Sequence, residues 1–155
     1  MLTDFMIGPS ILMYHSVDDQ SDDEYSVSGG TFKDQMRWLS ENGFEVISLE
    51  HLIHSINENK HKQLRKKIVI TFDDGYQDFL NNALPVLQDF KAPATVFIVT
   101  EMLGEKAKWN ETATNTQLMT EDEIRYIKAQ GISLGSHTCN HARLTTLNND
   151  DILRE

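Results

Sequence analysis

The sequence predicts an α/β fold with parallel strands. Five short apolar runs rich in β-branched residues alternate with four helical patterns, the arrangement of repeated βα units. The central run is almost continuously apolar rather than alternating, as in strands covered on both faces. At 155 residues the chain is long enough for one domain with a real core, and short of the roughly 250 residues of a complete eight-stranded barrel.

The first run is Ser10 to Val17, a buried strand with His15 towards its end. Asp18 to Glu24 is acidic and loop-like and continues through Ser28-Gly29-Gly30. Thr31 is placed to cap a helix over Phe32 to Glu41, with Phe32, Met36 and Leu39 or Trp38 on one face and Asn42-Gly43 as its stop. Phe44 to Leu49 reads as the second strand, and Ser48 caps a helix running to about Asn57. The central strand, Ile68 to Phe72, leads through a turn into a helix around Asn82 to Phe90, where Pro85 suits a first turn. Pro93 to Val99 is the fourth strand. Gly104 to Gln117 is polar and irregular apart from Trp109. Thr120-Glu121-Asp122-Glu123 is a capping box opening a helix to Ala129, and Ile132 to Gly135 is the fifth strand.

The formal net charge of -10 provides no electrostatic footprint for a phosphate backbone, and the basic cluster Lys60 to Lys67 reads as a solvated loop, so nucleic acid is not an expected partner. Cys139 is the one cysteine, which excludes an internal disulfide. No stretch reaches the roughly 18 apolar residues of a transmembrane segment. Met1 to Pro9 carries Asp4 and no basic residue before its apolar positions, so it does not read as a secretory signal; the compartment is left open.

Chemistry collects where the central strand stops, at Thr71-Phe72-Asp73-Asp74-Gly75. Successive strand side chains point to opposite faces, so both carboxylates reach one pocket only if the strand breaks there, and Gly75 permits the break. His137 and His141 follow the fifth strand at a spacing that, on a helical turn, sets two imidazoles on one face within chelating reach. In α/β sheets the carboxyl ends of strands share one rim, so these residues are expected to converge. Two histidines and one carboxylate fill three positions around a metal and leave the rest for water and substrate. The second carboxylate is then free to act as a base; the spacing leaves open which Asp does which. His15 can supply an acid to a leaving amine. Cys139 should point away from a metal that both histidines share, and Asp78 should shape or cap the turn after Gly75. Trp109 is a candidate sugar-stacking platform. His51, His54 and His61 are expected to be exposed.

These residues resemble the polysaccharide deacetylases with a NodB-homology domain, carbohydrate esterase family 4. Thr71-Phe72-Asp73-Asp74-Gly75 looks like the family's first motif and Ser136-His137-Thr138-Cys139-Asn140-His141 like its second. Tyr14-His15-Ser16-Val17 is similar to the opening of the branch that includes poly-N-acetylglucosamine deacetylases, and Ala83 to Leu87, Pro93 to Phe97 and the Thr120 capping box match in order. The resemblance implies a distorted (β/α) barrel and one divalent metal, zinc foremost, with Co, Ni, Mn or Fe as alternatives. The metal ligands would be Asp74, His137 and His141. Asp73 would be the catalytic base and His15 the general acid, with Tyr14 and Trp109 at the substrate. The implied reaction is removal of N-acetyl groups from a polysaccharide or oligosaccharide containing N-acetylglucosamine; members often act at the cell envelope or outside the cell.

One family feature has no counterpart. The third motif, an Arg and Pro-rich stretch that supports the oxyanion, should follow the second by some tens of residues, whereas Glu155 lies 14 residues after His141 and no Arg-x-Pro occurs. A partial barrel lacking the C-terminal strands is therefore expected. Its open edges and apolar surface predict a homo-oligomer or poor solubility. Two further readings follow: a catalytically incomplete fragment that holds metal or glycan without turnover, and an amidohydrolase acting on a small non-sugar amide or imide. An Fe(II) oxygenase with the same three ligands fits less well, because an Asp beside the ligand Asp suits hydrolysis.

Overall fold

The computed structural model of the chain describes residues 9–21, 23–109 and 117–155. In chain order the strands and helices are β1 (Ser10–Tyr14), β2 (Ser16–Val17), β3 (Ser26–Val27), α1 (Gly29–Glu41), β4 (Glu45–Val46), α2 (Leu49–Asn57), β5 (Lys67–Phe72), α3 (Leu84–Asp89), β6 (Thr95–Ile98), α4 (Glu121–Ala129), β7 (Ser133–Ser136) and α5 (Asn149–Ile152). Short 3₁₀ turns lie at His61–Leu64 and Leu144–Thr146, and a π-helical turn at Phe79–Ala83 runs directly into α3.

β5 is the hub. It pairs in parallel with β1, from Ser10 opposite Ile68 to Tyr14 opposite Phe72, and also with β4 and β6. β6 in turn carries β7. All pairings between these strands are parallel, and among the described residues β1 and β7 do not meet, so the sheet stays open. This is the expected parallel α/β fold in partial form.

One face of the sheet carries the main core. Ile68, Ile70 and Phe72 of β5 and Val96 and Ile98 of β6 pack against Phe32 and Met36 of α1, Leu84 and Leu87 of α3 and Ile127 of α4. Phe72 sits at the centre of an aromatic group, with ring centroids 5.7 Å from Phe32, 4.9 Å from Phe79 and 5.4 Å from Tyr14. On the opposite face Val69 closes a smaller cluster with Ile47, Leu52 and Leu64. That second cover stops short of β1, where Ile11 is 51% and Met13 60% exposed.

Several boundaries differ from the expectation for physical reasons. The run Ser10 to Val17 is two strands, because Asp78 and Asn82 capture its end. Ser16 Oγ donates to Asp78 Oδ2 at 2.6 Å, Val17 N donates to Asp78 Oδ1 at 3.2 Å, and Asn82 Nδ2 donates to the Val17 carbonyl at 2.6 Å. Freed from β5, this end pairs with β3. Asp78 thus ties β2 down rather than capping the following turn, where its side chain makes no cap bond. The cap of α1 is Ser28, whose Oγ accepts from Thr31 N at 3.0 Å; Thr31 is already inside the helix. Ser48 and the Thr120 capping box stand where expected.

Candidate metal centre

The break at the end of β5 comes one residue earlier than Gly75. Asp74 itself has φ +71°, and Gly75 N donates to the Asp73 carbonyl at 2.9 Å, closing a three-residue turn around Asp74. A non-glycine residue at positive φ in so tight a turn is strained, and the neighbouring contacts hold it there. Gly75 follows at φ +79°, its carbonyl accepting from Met119 N at 2.9 Å. The turn sends the two carboxylates to different hollows. Asp73 opens onto one lined by Thr71, Phe97 and His137; Asp74 opens onto a larger groove of about 1170 Å³ with His15, Tyr25, Trp109 and Arg143 on its walls. The hollows share Met13, Ser136 and His137.

His137 and His141 do not lie on a helical turn. They bracket an irregular loop in which Thr138 (φ +64°) and His141 (φ +58°) are both left-handed. The loop continues the pairing of β6 with β7: His137 N donates to the Ile98 carbonyl at 2.8 Å, and Thr100 N and Glu101 N donate to the Thr138 and Cys139 carbonyls at 3.1 and 2.9 Å. Both imidazoles are thereby turned to one oxygen. Asp74 Oδ1 lies 3.3 Å from His137 Nε2 and 3.2 Å from His141 Nε2. The three ligand atoms lie within 4.8 Å of one another.

Asp74 is 3% exposed, and its Oδ1 accepts no hydrogen bond despite the two nearby nitrogens. A buried carboxylate oxygen facing two imidazole nitrogens without a shared proton is a donor set turned towards a cation. The residues therefore fit a divalent metal. Burial is the main influence on His141, holding its imidazole below the ordinary range against the opposing pull of Asp74, and a neutral imidazole is the form that ligates. The other oxygen of Asp74 is satisfied by Trp109, whose Nε1 donates to Oδ2 at 3.2 Å. The Trp109 indole also stacks on His141, with centroids 4.1 Å apart and an 18° interplanar angle. Tyr76, Val99, Met102, Ala107 and Leu118 form the cluster that seats it.

Asp73 is half-buried, and burial is the largest influence on its carboxyl, pushing it up; His137, His15 and His141 pull it down and Asp74 pushes it up. His15 lines the groove, its ring 5.1 Å from that of Tyr25. Tyr14 is placed elsewhere. Its ring packs on Phe32 and Phe72, its hydroxyl donates to Gln35 Oε1 at 2.8 Å, and burial raises its pKa to about 12. The structure does not bring Tyr14 to the groove, because alternation along β1 sends position 14 to the core face and position 13 to the open face. Cys139 points away from the ligands, Sγ donating to the Arg154 carbonyl at 3.2 Å. His51, His54 and His61 are exposed. Tyr25, Arg143 and the Asp78 tie to β2 were not anticipated; the short Ser26–Val27 strand that places Tyr25 is too brief to leave a periodic signal.

A parallel sheet with paired carboxylates and two imidazoles at its strand ends defines a candidate metal centre of the hydrolytic kind. The chain belongs to the polysaccharide deacetylase family, whose model matches residues 60–155. It is 33% identical over 137 residues to YxkH of Bacillus subtilis (strain 168), assigned by name to the polysaccharide deacetylases, covering 88% of this chain and 44% of that one. It is 28% identical over 144 residues to the poly-beta-1,6-N-acetyl-D-glucosamine N-deacetylase of Escherichia coli (strain K12), covering 83% of this chain and 20% of that protein. The chain thus spans less than half the length of either relative. Among solved structures, the Streptococcus pyogenes deacetylase PplD in complex with acetate superposes with a TM-score of 0.78 at 26% identity, over 96% of this chain and 64% of that one.

Proposed function

We propose that the site removes N-acetyl groups from an N-acetylglucosamine-containing polysaccharide by metal-assisted hydrolysis. The observation that supports this most directly is the buried Asp74 Oδ1, without a hydrogen-bond donor and facing both imidazoles, next in sequence to a second, half-buried carboxylate. Asp74, His137 and His141 would hold the metal, zinc foremost. A divalent metal there supplies a lowered pKa for water, from about 15.7 towards 7, and polarisation of a carbonyl oxygen.

The chain's own residues do the rest. Asp73 takes the proton of the attacking water, and burial makes its carboxylate a better acceptor. The water oxygen bonds to the acetyl carbon, the C–N bond breaks, and His15, on the groove wall, protonates the departing amine. Acetate and a free amino sugar result. Trp109 keeps Asp74 and His141 oriented, as groups hydrogen-bonded behind metal ligands do. A groove of about 1170 Å³, walled by Tyr25 and Arg143, has room for more than a compact amide, in keeping with an oligosaccharide substrate.

Metal content and acetate release from acetylated β-1,6-linked glucosamine oligomers, measured together on wild type, Asp73→Asn and Asp74→Ala, test the reading. Asp74→Ala is expected to lose metal and activity together. Asp73→Asn should keep the metal while acetate release falls about 10²–10⁴-fold. Wild type that holds stoichiometric zinc and binds the oligomer without releasing acetate would support the non-catalytic glycan-binding role instead. Wild type without metal would sink the metal-assisted reading.

A further inference from the structure

The loop between the two histidines is held on two sides. Its carbonyls at Thr138 and Cys139 accept from the chain just beyond β6. Its N–H groups are held by one side chain that no motif contains. Glu155 Oε2 accepts from Cys139 N at 3.0 Å and from Asn140 N at 2.9 Å, and Glu155 Oε1 accepts from Asn140 Nδ2 at 3.1 Å. The bond from Asn140 N is the main reason the Glu155 carboxyl sits below its ordinary range. Glu155 follows α5, whose N-cap Asn148 accepts through Oδ1 from Asp151 N at 3.0 Å, and the carbonyl of Arg154, two residues past the helix, accepts from the Cys139 thiol.

We propose that Glu155 is a positioning residue for the metal site, its carboxylate locking the His137–His141 loop in the conformation that turns both Nε2 atoms to Asp74. The physical case is conformational. Two of the five residues from His137 to His141 sit at positive φ without being glycine, a state that needs outside contacts to persist. Two adjacent N–H groups converging on one carboxylate oxygen, with Asn140 Nδ2 on the other, supply such contacts at the loop's middle. Without them the loop relaxes, and the two imidazoles spend less time in register.

The inference rests on reading Asp74, His137 and His141 as metal ligands. Zinc affinity of the full chain, measured by competition with a chromophoric chelator, tests it with Glu155→Gln, Glu155→Ala and a control, Glu121→Gln, whose carboxylate pairs with Arg125 on α4. Glu155→Ala is expected to weaken zinc binding about 10–100-fold, the range for groups that orient ligands from behind. Glu155→Gln should fall between it and wild type, since the amide keeps one acceptor and the side chain's shape, and the control should match wild type. The melting temperature of the metal-free proteins should be nearly the same, which separates positioning from general support of the fold. Equal zinc affinity in wild type and both Glu155 variants overturns the inference and leaves the metal site standing. A wild type that binds no zinc removes the metal site itself, and this inference with it.

Discussion

A carboxylate oxygen buried without a donor is expensive, on the order of 1–3 kcal/mol or more for a charged group, and Asp74 Oδ1 is such an atom. Its left-handed backbone adds strain on the same residue. That both persist at one position argues for a bound cation as the missing partner. Trp109 completes the second oxygen, so Trp109→Phe keeps an aromatic ring for His141 and removes only the N–H. Zinc affinity should fall about 10-fold, read by chelator competition, with the thermal midpoint of the metal-free protein unchanged. Asp78 gives a second test. Burial raises its carboxyl above the ordinary 3.8 despite the Ser16 and Val17 bonds. The folded state therefore holds that proton more tightly than the unfolded chain, and stability is lost as pH rises from the unfolded value through the folded one. Asp78→Asn removes this loss, so the drop in urea midpoint between pH 4 and pH 7 should be smaller in the variant than in wild type. The paired aspartates and the His-x₃-His spacing were legible because each lies within a few residues. The break after β5 was legible as well, from Gly75, although Asp74 takes the left-handed turn first. The Trp109 bond across 35 residues and the Glu155 bonds across 15 and 16 were not, since local spacing carries no information about such contacts.

Strand β1 shows how far element patterning reaches. Leu12 and Tyr14 pack on the core, while Ile11 and Met13 on the other face stay exposed although just as apolar. Composition told that this run was a strand, but not which residues were covered. Tyr14 was expected at the substrate from the resemblance of Tyr14-His15-Ser16-Val17 to a family motif, and alternation along β1 puts it in the core instead. The difference is measurable: Met13→Thr should change unfolding free energy by no more than about 0.5 kcal/mol, whereas Phe72→Ala should cost about 3–5 kcal/mol by urea denaturation. Between β6 and β7 the limit is space. A Cβ on Gly135 would meet Phe97 Cδ1 at 2.4 Å, and the two residues are register partners. Gly135→Ala must push the Phe97 ring away or part the strands two residues before His137. Such overpacking costs about 1–3 kcal/mol, and it should also weaken zinc binding, which Met13→Thr should not.

At the scale of the molecule, the proposed ligands come from two segments that the sheet alone brings together, the end of β5 and the loop after β7, separated on the sheet by β6. The sequence conveyed the parallel order and the rim because βα alternation imposes both, and a length short of a complete barrel predicted the open sheet in which, among the described residues, β1 and β7 remain apart. It could not convey which side chains the open face would leave uncovered, which depends on packing across the whole sheet. The face left open there carries Ile11 and Met13, so self-association at high concentration is expected by light scattering and should diminish in Met13→Lys. The open sheet also makes metal a stability question. A ligand that binds only the folded state stabilises it by about 2.7 kcal/mol at 100 times its dissociation constant, which for a chain of this size is a rise of roughly 5–10 °C in melting temperature. The midpoint should therefore climb with zinc concentration in wild type, return with chelator, and stay level in His137→Ala. A zinc-dependent rise that survives in His137→Ala would mean that the metal binds elsewhere, and that Asp74, His137 and His141 converge for another reason.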